Sequence, residues 1–405
     1  MLKTMIVFHV LCLHLFAAAQ TTAVGPVDPI QEELKKRNYT KALPMISKEL
    51  RKQLPARDPN CLKFECRRLF EKEREIIAKI LDPKLISLAE EDMTIYLEQV
   101  KEPQKRWDIY RYHGDEIASA LFSTGLYDKG VKFSKLMISR MTSLDVSVPE
   151  KEADMAVLRY QHELARYQRI LGLYPAAKDA IRTGLASPVL ERVPERHFWL
   201  NVEGADLEVY LGNYAGTEKY FEQAAVLAKS PNAWINMGWI NILKSHSARS
   251  QGQLAQAETD ARSAVELAAK RPEYPALKVW SAQALSMALR RQGKLTEALA
   301  IAQAYETDAN KYFLPGDAFR SWPLYELHAI RALEKSPAEV KKYRDRINVV
   351  LKDRDLAVLY KDFLDFWEHL AKGNSAQAKQ ARENVLKRYG KFQPDYLDLA
   401  AIELK

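Results

Sequence analysis

One glycine that returns about every forty residues constrains this chain more than any other feature. Gly125, Gly172, Gly212, Gly252 and Gly293 are spaced by 47, 40, 40 and 41 residues, and Gly373 follows 80 residues on, two periods further. Other positions keep step. Two residues after each of the first five stands a large apolar or aromatic side chain: Tyr127, Tyr174, Tyr214, Leu254 or Leu295. Five residues after each of the six comes something small: Gly130, Ala177, Thr217, Ala257, Ala298 or Ala378. Seven residues before each of the first five comes another small residue: Ala118, Ala165, Ala205, Ser245 or Ser286. A segment that repeats its packing positions at a fixed interval cannot bury a core alone and must stack on its neighbours.

The unit reads as a helix hairpin. A glycine ends the first helix in a left-handed conformation without a side-chain penalty, and the chain turns back. Small residues on the two helices then let their axes approach closely. The second helices carry an apolar stripe at helical spacing, as in Leu254, Ala257, Ala261, Ala264, Val265 and Ala268, and in Leu295, Ala298, Leu299, Ala302 and Tyr305. With 405 residues, 47% apolar and 28% charged, the chain has material for one continuous core and no composition of a disordered protein. Proline-containing stretches at Pro55 to Pro59, Ser147 to Pro149, Pro188 to Pro194, Pro231, Pro272 to Pro275 and Pro315 to Pro323 read as inter-helix loops, and no run of strands is visible.

Gly212-Asn213-Tyr214 with Phe221 and Ala224, Gly252-Gln253-Leu254 with Ala257 and Ala264, and Gly293-Lys294-Leu295 with Ala298 resemble the tetratricopeptide repeat, with its G-x-Y-x-x-A turn and small or aromatic second-helix residues. The departure is the period, forty against the family's usual 34, which implies longer helices or loops. The resemblance implies an all-α, right-handed α-α superhelix of antiparallel helix pairs. Four regions are expected: a leader at 1–19, an N-terminal helical region with a degenerate repeat at 20–112, repeats at 113–310, and degenerate repeats with capping helices at 311–405. Arg37-Asn38-Tyr39-Thr40-Lys41-Ala42 repeats the turn with arginine for glycine, and Ser336-Pro337-Ala338 falls where the repeat between Gly293 and Gly373 belongs, with a serine cap and proline at the first helical position.

Lys3, the apolar run Met5 to Phe16 and Ala17-Ala18-Ala19 read as a signal peptide cleaved near Ala19, which places the mature chain in the periplasm or outside the cell. Twelve residues holding His9 and His14 are short for the roughly 30 Å of a bilayer core, so no stable membrane insertion is expected. Cys61 and Cys66 then remain as the mature thiols. Asp58-Pro59 looks like a helix start, and five residues on one helix rise about 7.5 Å, beyond comfortable disulfide reach. Both a local bridge across a distorted first turn and two free thiols stay open. The formal charge of +8 is spread along faces where cations alternate with carboxylates, a solvated surface and not a nucleic-acid patch. Asn38-Tyr39-Thr40 is a glycosylation sequon in a eukaryotic source.

Chemistry leaves no local signature. His113, His162, His197, His246, His328 and His369 fall in no H-E-x-x-H arrangement and beside no cysteine nucleophile motif, and Glu368 beside His369 projects elsewhere on a helix. Phosphate-binding and G-x-S-x-G motifs are missing from the sequence as well. No enzyme, cofactor or metal is expected. Two periodic stripes remain. Trp199, Trp239 and Trp280 each stand thirteen residues before their glycine, either as inter-repeat packing or as a reading surface. Arg169, Arg249 and Arg290 stand three before, accompanied by Arg166, His246 and Arg291. They suit either a cationic helix end or the carboxylates of an acidic peptide. The expected function is an exported scaffold or adaptor that binds a protein or peptide in the groove of the array. One alternative is a noncatalytic accessory partner, or truncated relative, of a caspase-like protease system, where comparable repeats precede a His-Cys pair that these 405 residues do not contain. Another is an all-helical envelope enzyme, which needs acids and aromatics clustered across a cavity.

Overall fold

The computed structural model describes residues 28–53, 69–99 apart from 70, 71, 74, 78 and 80, 103–142, 150–228, 233–272 and 274–404. The leader, Cys61, Cys66, the Asp58-Pro59 helix start and the loops at Ser147 to Pro149 and Pro231 lie outside these residues. The helices are α1 (Pro29–Lys35), α2 (Tyr39–Gln53), α3 (Pro83–Gln99), α4 (Pro103–Thr124), α5 (Tyr127–Thr142), α6 (Glu150–Ile170), α7 (Tyr174–Leu185), α8 (Pro194–Tyr210) and α9 (Tyr214–Leu227). They continue with α10 (Ala233–Ser250), α11 (Leu254–Ala269), α12 (Pro275–Arg291), α13 (Leu295–Tyr312), α14 (Ser321–Leu333), α15 (Pro337–Val350), α16 (Asp355–Ala371), α17 (Ser375–Tyr389) and α18 (Pro394–Ala400). No strand occurs among the described residues. The chain is an all-α solenoid of helices packed on their neighbours.

From α4 onward each even-numbered helix pairs with the next one, and the turn between them is made as the glycines require. Gly212, Gly252 and Gly293 have φ of 70° to 75°. The N–H of the following residue donates to the carbonyl five positions back: Asn213 to Glu208 at 2.9 Å, Gln253 to Ala248 at 2.9 Å, Lys294 to Leu289 at 3.0 Å. That bond satisfies a carbonyl the helix end leaves open. The same closure forms without glycine. Arg37 and Lys335 both take φ of 54°, and Ser336 N–H donates to Arg331 O at 3.0 Å. Both degenerate units therefore close as helix hairpins, at a cost of about 1–2 kcal/mol for a left-handed L-residue.

The small positions meet across each hairpin. Ser245 Oγ donates to Ala257 O at 2.7 Å, Ser286 Oγ to Ala298 O at 3.1 Å, and Thr217 Oγ1 to Ala205 O at 3.4 Å. These are the positions seven before and five after the turn. In the earliest glycine-closed pair the place is taken by Gly130, where a Cβ would lie 2.4 Å from the buried ring of Tyr167. Even-numbered helices α4 to α14 also pack side by side, giving the array an inner wall, and α16 packs on the last of them. One core cluster runs from Ala42 to Leu399 and joins the repeats to the regions on either side. Pro323 is a correction to the loop reading: it sits in the first turn of α14, where its missing N–H costs nothing.

The inner wall is not left open. Helix α16 returns to α5, and α18 to α10. Asp128 N–H donates to Asp355 Oδ2 at 2.8 Å, and Arg354 Nη1 donates to Thr124 O at 3.0 Å and to Gly316 O at 2.7 Å.

His328, seven residues before Lys335, occupies a small-residue position with a fully buried imidazole, and neither ring nitrogen has a hydrogen-bond partner. Burial, with Arg344 adding to it and Glu368 opposing, pushes its pKa down to about 3. The unfolded chain takes up a proton below pH 6.5 and the folded one does not until about pH 3, so this group removes stability as pH falls through that window. His328→Leu is expected to flatten the acid side of the stability curve by about 1.4 kcal/mol per pH unit between pH 6 and 4. Urea midpoints at closely spaced pH values measure this, and parallel curves for the two proteins would refute it.

Candidate functional site

Each inner-wall helix turns one face toward the returning helices α16 to α18. On α6 that face holds His162, Arg166 and Arg169; on α8 it holds Arg196, Trp199, Glu203, Asp206 and Tyr210. On α10 it holds Trp239, Leu243, His246 and Arg249, and on α12 Trp280, Gln283 and Met287. Steps of three and four residues place each set on one side of its helix. Phe319 and Trp322 extend the wall. Opposite stand Leu356, Leu359, Tyr360 and Phe363 of α16, Tyr389 of α17, and Gln393, Pro394 and Asp395 at the start of α18. Wall and roof flank a cleft-like cavity of about 450 Å³ that is partly open to solvent.

The tryptophans form a ladder. Ring centroids are 5.5 Å apart for Trp199 and Trp239, 6.0 Å for Trp239 and Trp280, and 4.0 Å for Trp280 and Trp322, with tilted or edge-on contacts that suit the ring quadrupoles. All four keep part of their surface exposed. Trp322 is a rung the sequence reading passed over. It stands thirteen residues before Lys335, and counting from glycines hid it because lysine makes that turn. Tyr360 stands in the same register before Gly373.

The charged residues are largely paired within the wall. Arg169 binds Glu203 at 3.0 Å and Asp206 at 2.8 Å; Arg166 binds Glu163 at 3.1 Å and Glu203 at 3.3 Å. Arg166 also lies 3.6 Å above the Phe122 ring. Arg196 Nη1 lies 3.4 Å from His162 Nδ1. Burial lifts the Asp206 carboxyl to about 6, with Arg169 offsetting part of the shift, and burial likewise raises Asp395. Burial and then Arg249 push His246 down to about 3, and burial with the arginines around it pushes His162 well below the usual range. Both imidazoles are neutral at pH 7. His162 Nε2, His246 Nε2, Gln283 Oε1 and Trp322 Nε1 have no protein partner.

Of the stripe residues, Trp199, Trp239, Trp280, Arg166, Arg169, His246 and Arg249 line the cavity, while Arg290 and Arg291 lie behind it. Arg249, Arg290 and Arg291 converge on one carboxylate of the same chain, Asp398 in α18. Arg249 donates to Oδ2, Arg290 Nη2 reaches Oδ2 at 2.9 Å, and Arg291 Nη1 reaches Oδ1 at 2.9 Å. Arg290 also binds Glu326 at 2.8 Å. Arg249, Arg290 and Asp398 are no more than 4% exposed, so this part of the stripe is buried beneath α18. Nothing local in the sequence links Asp398 to arginines 149 and 108 residues away.

Among the described residues no group of three or more His, Cys, Asp or Glu side chains is placed to hold a metal, and no helix is long and apolar enough to cross a membrane. Neither a family model nor a curated protein matches this chain.

Proposed function

We propose that the chain is a noncatalytic binding protein whose forty-residue hairpins are tetratricopeptide-like repeats and whose ligand site is the roofed cavity on the inner wall. The preformed 450 Å³ chamber lined by the tryptophan ladder carries this reading. Its volume lies in the range of sites that enclose small ligands, and a few polar groups converge on a mostly apolar lining, as such sites require. Arg169 holds Glu203 at 3.0 Å and Asp206 at 2.8 Å, which fixes these carboxylates as acceptors for a ligand, while the raised Asp206 and Asp395 carboxyls facing the tryptophans are what the helical-enzyme alternative requires. The chamber suits export with the leader read at residues 1–19, where a soluble binding protein meets its ligand outside the cytoplasm.

A direct test uses an uncharged solvatochromic dye, Nile red, small enough for this volume. One saturable site per chain is expected, with energy transfer from the tryptophans, and Gln283→Trp, which fills the chamber, abolishes it. Absence of saturable binding, or binding unchanged in Gln283→Trp, refutes the reading.

A second reading keeps a protein partner. Asp398 in its three-arginine site is an acidic helix docked on the inner wall, and a partner carrying a comparable segment could compete for that place with α18.

A further inference from the structure

We infer that the ligand of the chamber is an uncharged saccharide on the order of two pyranose rings, an inference that rests on the chamber being a ligand site. Three properties of the lining lead there. First, charge is nearly balanced, with four guanidinium groups against three carboxylates. The lining carries the guanidinium groups of Arg166, Arg169, Arg196 and Arg249 against the carboxylates of Glu203, Asp206 and Asp395, and Asp398 sits behind Arg249. The histidines add nothing, because burial keeps them neutral. An anionic ligand at Arg166 or Arg169 would have to take them from partners they already hold at 2.8 to 3.3 Å, leaving buried carboxylates unpaired, while Arg196 meets only His162 Nδ1 at 3.4 Å and can donate to a neutral oxygen.

Second, donors and acceptors are interleaved. Arg196 and Arg166 can only donate, Asp395 and Asp206 only accept when ionised, and Gln283 and neutral His246 do both. Asp395 is the most open of the paired acids, its side chain 32% exposed. A wholly apolar ligand would leave these groups unmet, which disfavours it. A hydroxyl donates one hydrogen bond and accepts two, so a ring of hydroxyls can answer donors and acceptors in any order.

Third, the remaining surface is aromatic. The ladder Trp199, Trp239, Trp280 and Trp322 lies opposite Tyr360 and is partly exposed. A pyranose has hydroxyls at its rim and C–H groups on its faces, so it can stack on indole while its rim meets the polar residues. A peptide strand, with donors and acceptors in a fixed order along its backbone, matches this interleaved lining less well.

An array of uncharged and anionic di- to tetrasaccharides, followed by tryptophan-fluorescence titration of the responding compounds, tests this. At least one uncharged di- or trisaccharide is expected to bind one site per chain, about tenfold or more weaker in Trp239→Ala and not at all in Gln283→Trp, with circular dichroism and melting confirming both folds. Should Trp239→Ala fail to fold, Gln283→Trp and displacement of Nile red by the sugar carry the test. Saturable Nile red binding with no sugar response, or a response confined to anionic glycans, refutes the saccharide assignment and leaves the chamber as a ligand site. Failure of Nile red and sugars alike refutes both.

Discussion

Asp398→Ala is expected to lower the unfolding free energy by about 3–5 kcal/mol, because it removes the carboxylate shared by three buried or half-buried guanidinium groups and leaves Arg290 with Glu326 and Arg249 with the more distant Asp395. Replacing a whole buried ion cluster with apolar groups can be neutral, whereas deleting one member strands the others. Burial alone would push the Asp398 carboxyl up; Arg249, Arg290 and Arg291 outweigh it and hold it below the ordinary aspartate range. The contribution is therefore present above the unfolded pKa near 4 and lost as pH falls through the lower folded value. Chemical denaturation at pH 7 measures the loss, and hydrogen exchange across Pro394–Ala400 locates it, since α18 should lose protection before α8 or α11 does. A loss under 1 kcal/mol would mean that the arginines find other partners or water. The variant also tests the competing protein-partner reading. With the site vacated, a labelled peptide of residues 391–404 should bind in trans, and no binding would remove that reading.

Tyr167→Ala is expected to cost a similar 3–5 kcal/mol. The ring is fully buried between Phe122 and Tyr127, with centroids 5.9 and 6.2 Å away, and its hydroxyl donates to Ala118 O at 2.5 Å. It fills the place that the missing side chain of Gly130 leaves, so truncation opens a cavity at the joint between two hairpins. Tyr167→Phe separates the two contributions: losing the hydroxyl alone should cost about 1 kcal/mol, leaving the Ala118 carbonyl with its helical bond. Equal losses for the two variants would mean that the hydrogen bond, and not the ring volume, holds the joint.

The turns were legible because their requirement is local. A left-handed residue must follow each first helix, glycine is the residue that meets it freely, and one letter marks each hairpin. Arg37 and Lys335 were legible only through their neighbours, since the turn there uses a residue without that signature. Trp199, Trp239 and Trp280 were visible because thirteen residues separate each from its glycine. Trp322 obeys the same spacing and was obscured by the lysine that starts the count. The roof was not legible at all. Asp395, Asp398 and Tyr389 have no periodic partner in the wall, and what brings them there is the summed curvature of every preceding hairpin. The arginine stripe read as a cationic helix end or as a seat for a partner's carboxylates, whereas Arg249, Arg290 and Arg291 meet Asp398 of their own chain. Which carboxylate would answer Arg249, Arg290 and Arg291 was a question of tertiary path.

The contacts of Asp355 and Arg354 with α4 and α5 span 227 and 230 residues of chain. In an ordinary stack each unit touches only its neighbours, and stability is a sum of local terms that can fray from either end. Here Thr124 and Asp128 are joined to Arg354 and Asp355, so the hairpins between α4 and α16 cannot fray one after another without breaking that joint. Closing so long a loop is slow, although each doubling of its length adds only about 0.6 kcal/mol of entropic cost. Any intermediate that lacks α16 to α18 therefore presents the tryptophan-bearing faces of α8, α10 and α12 to water.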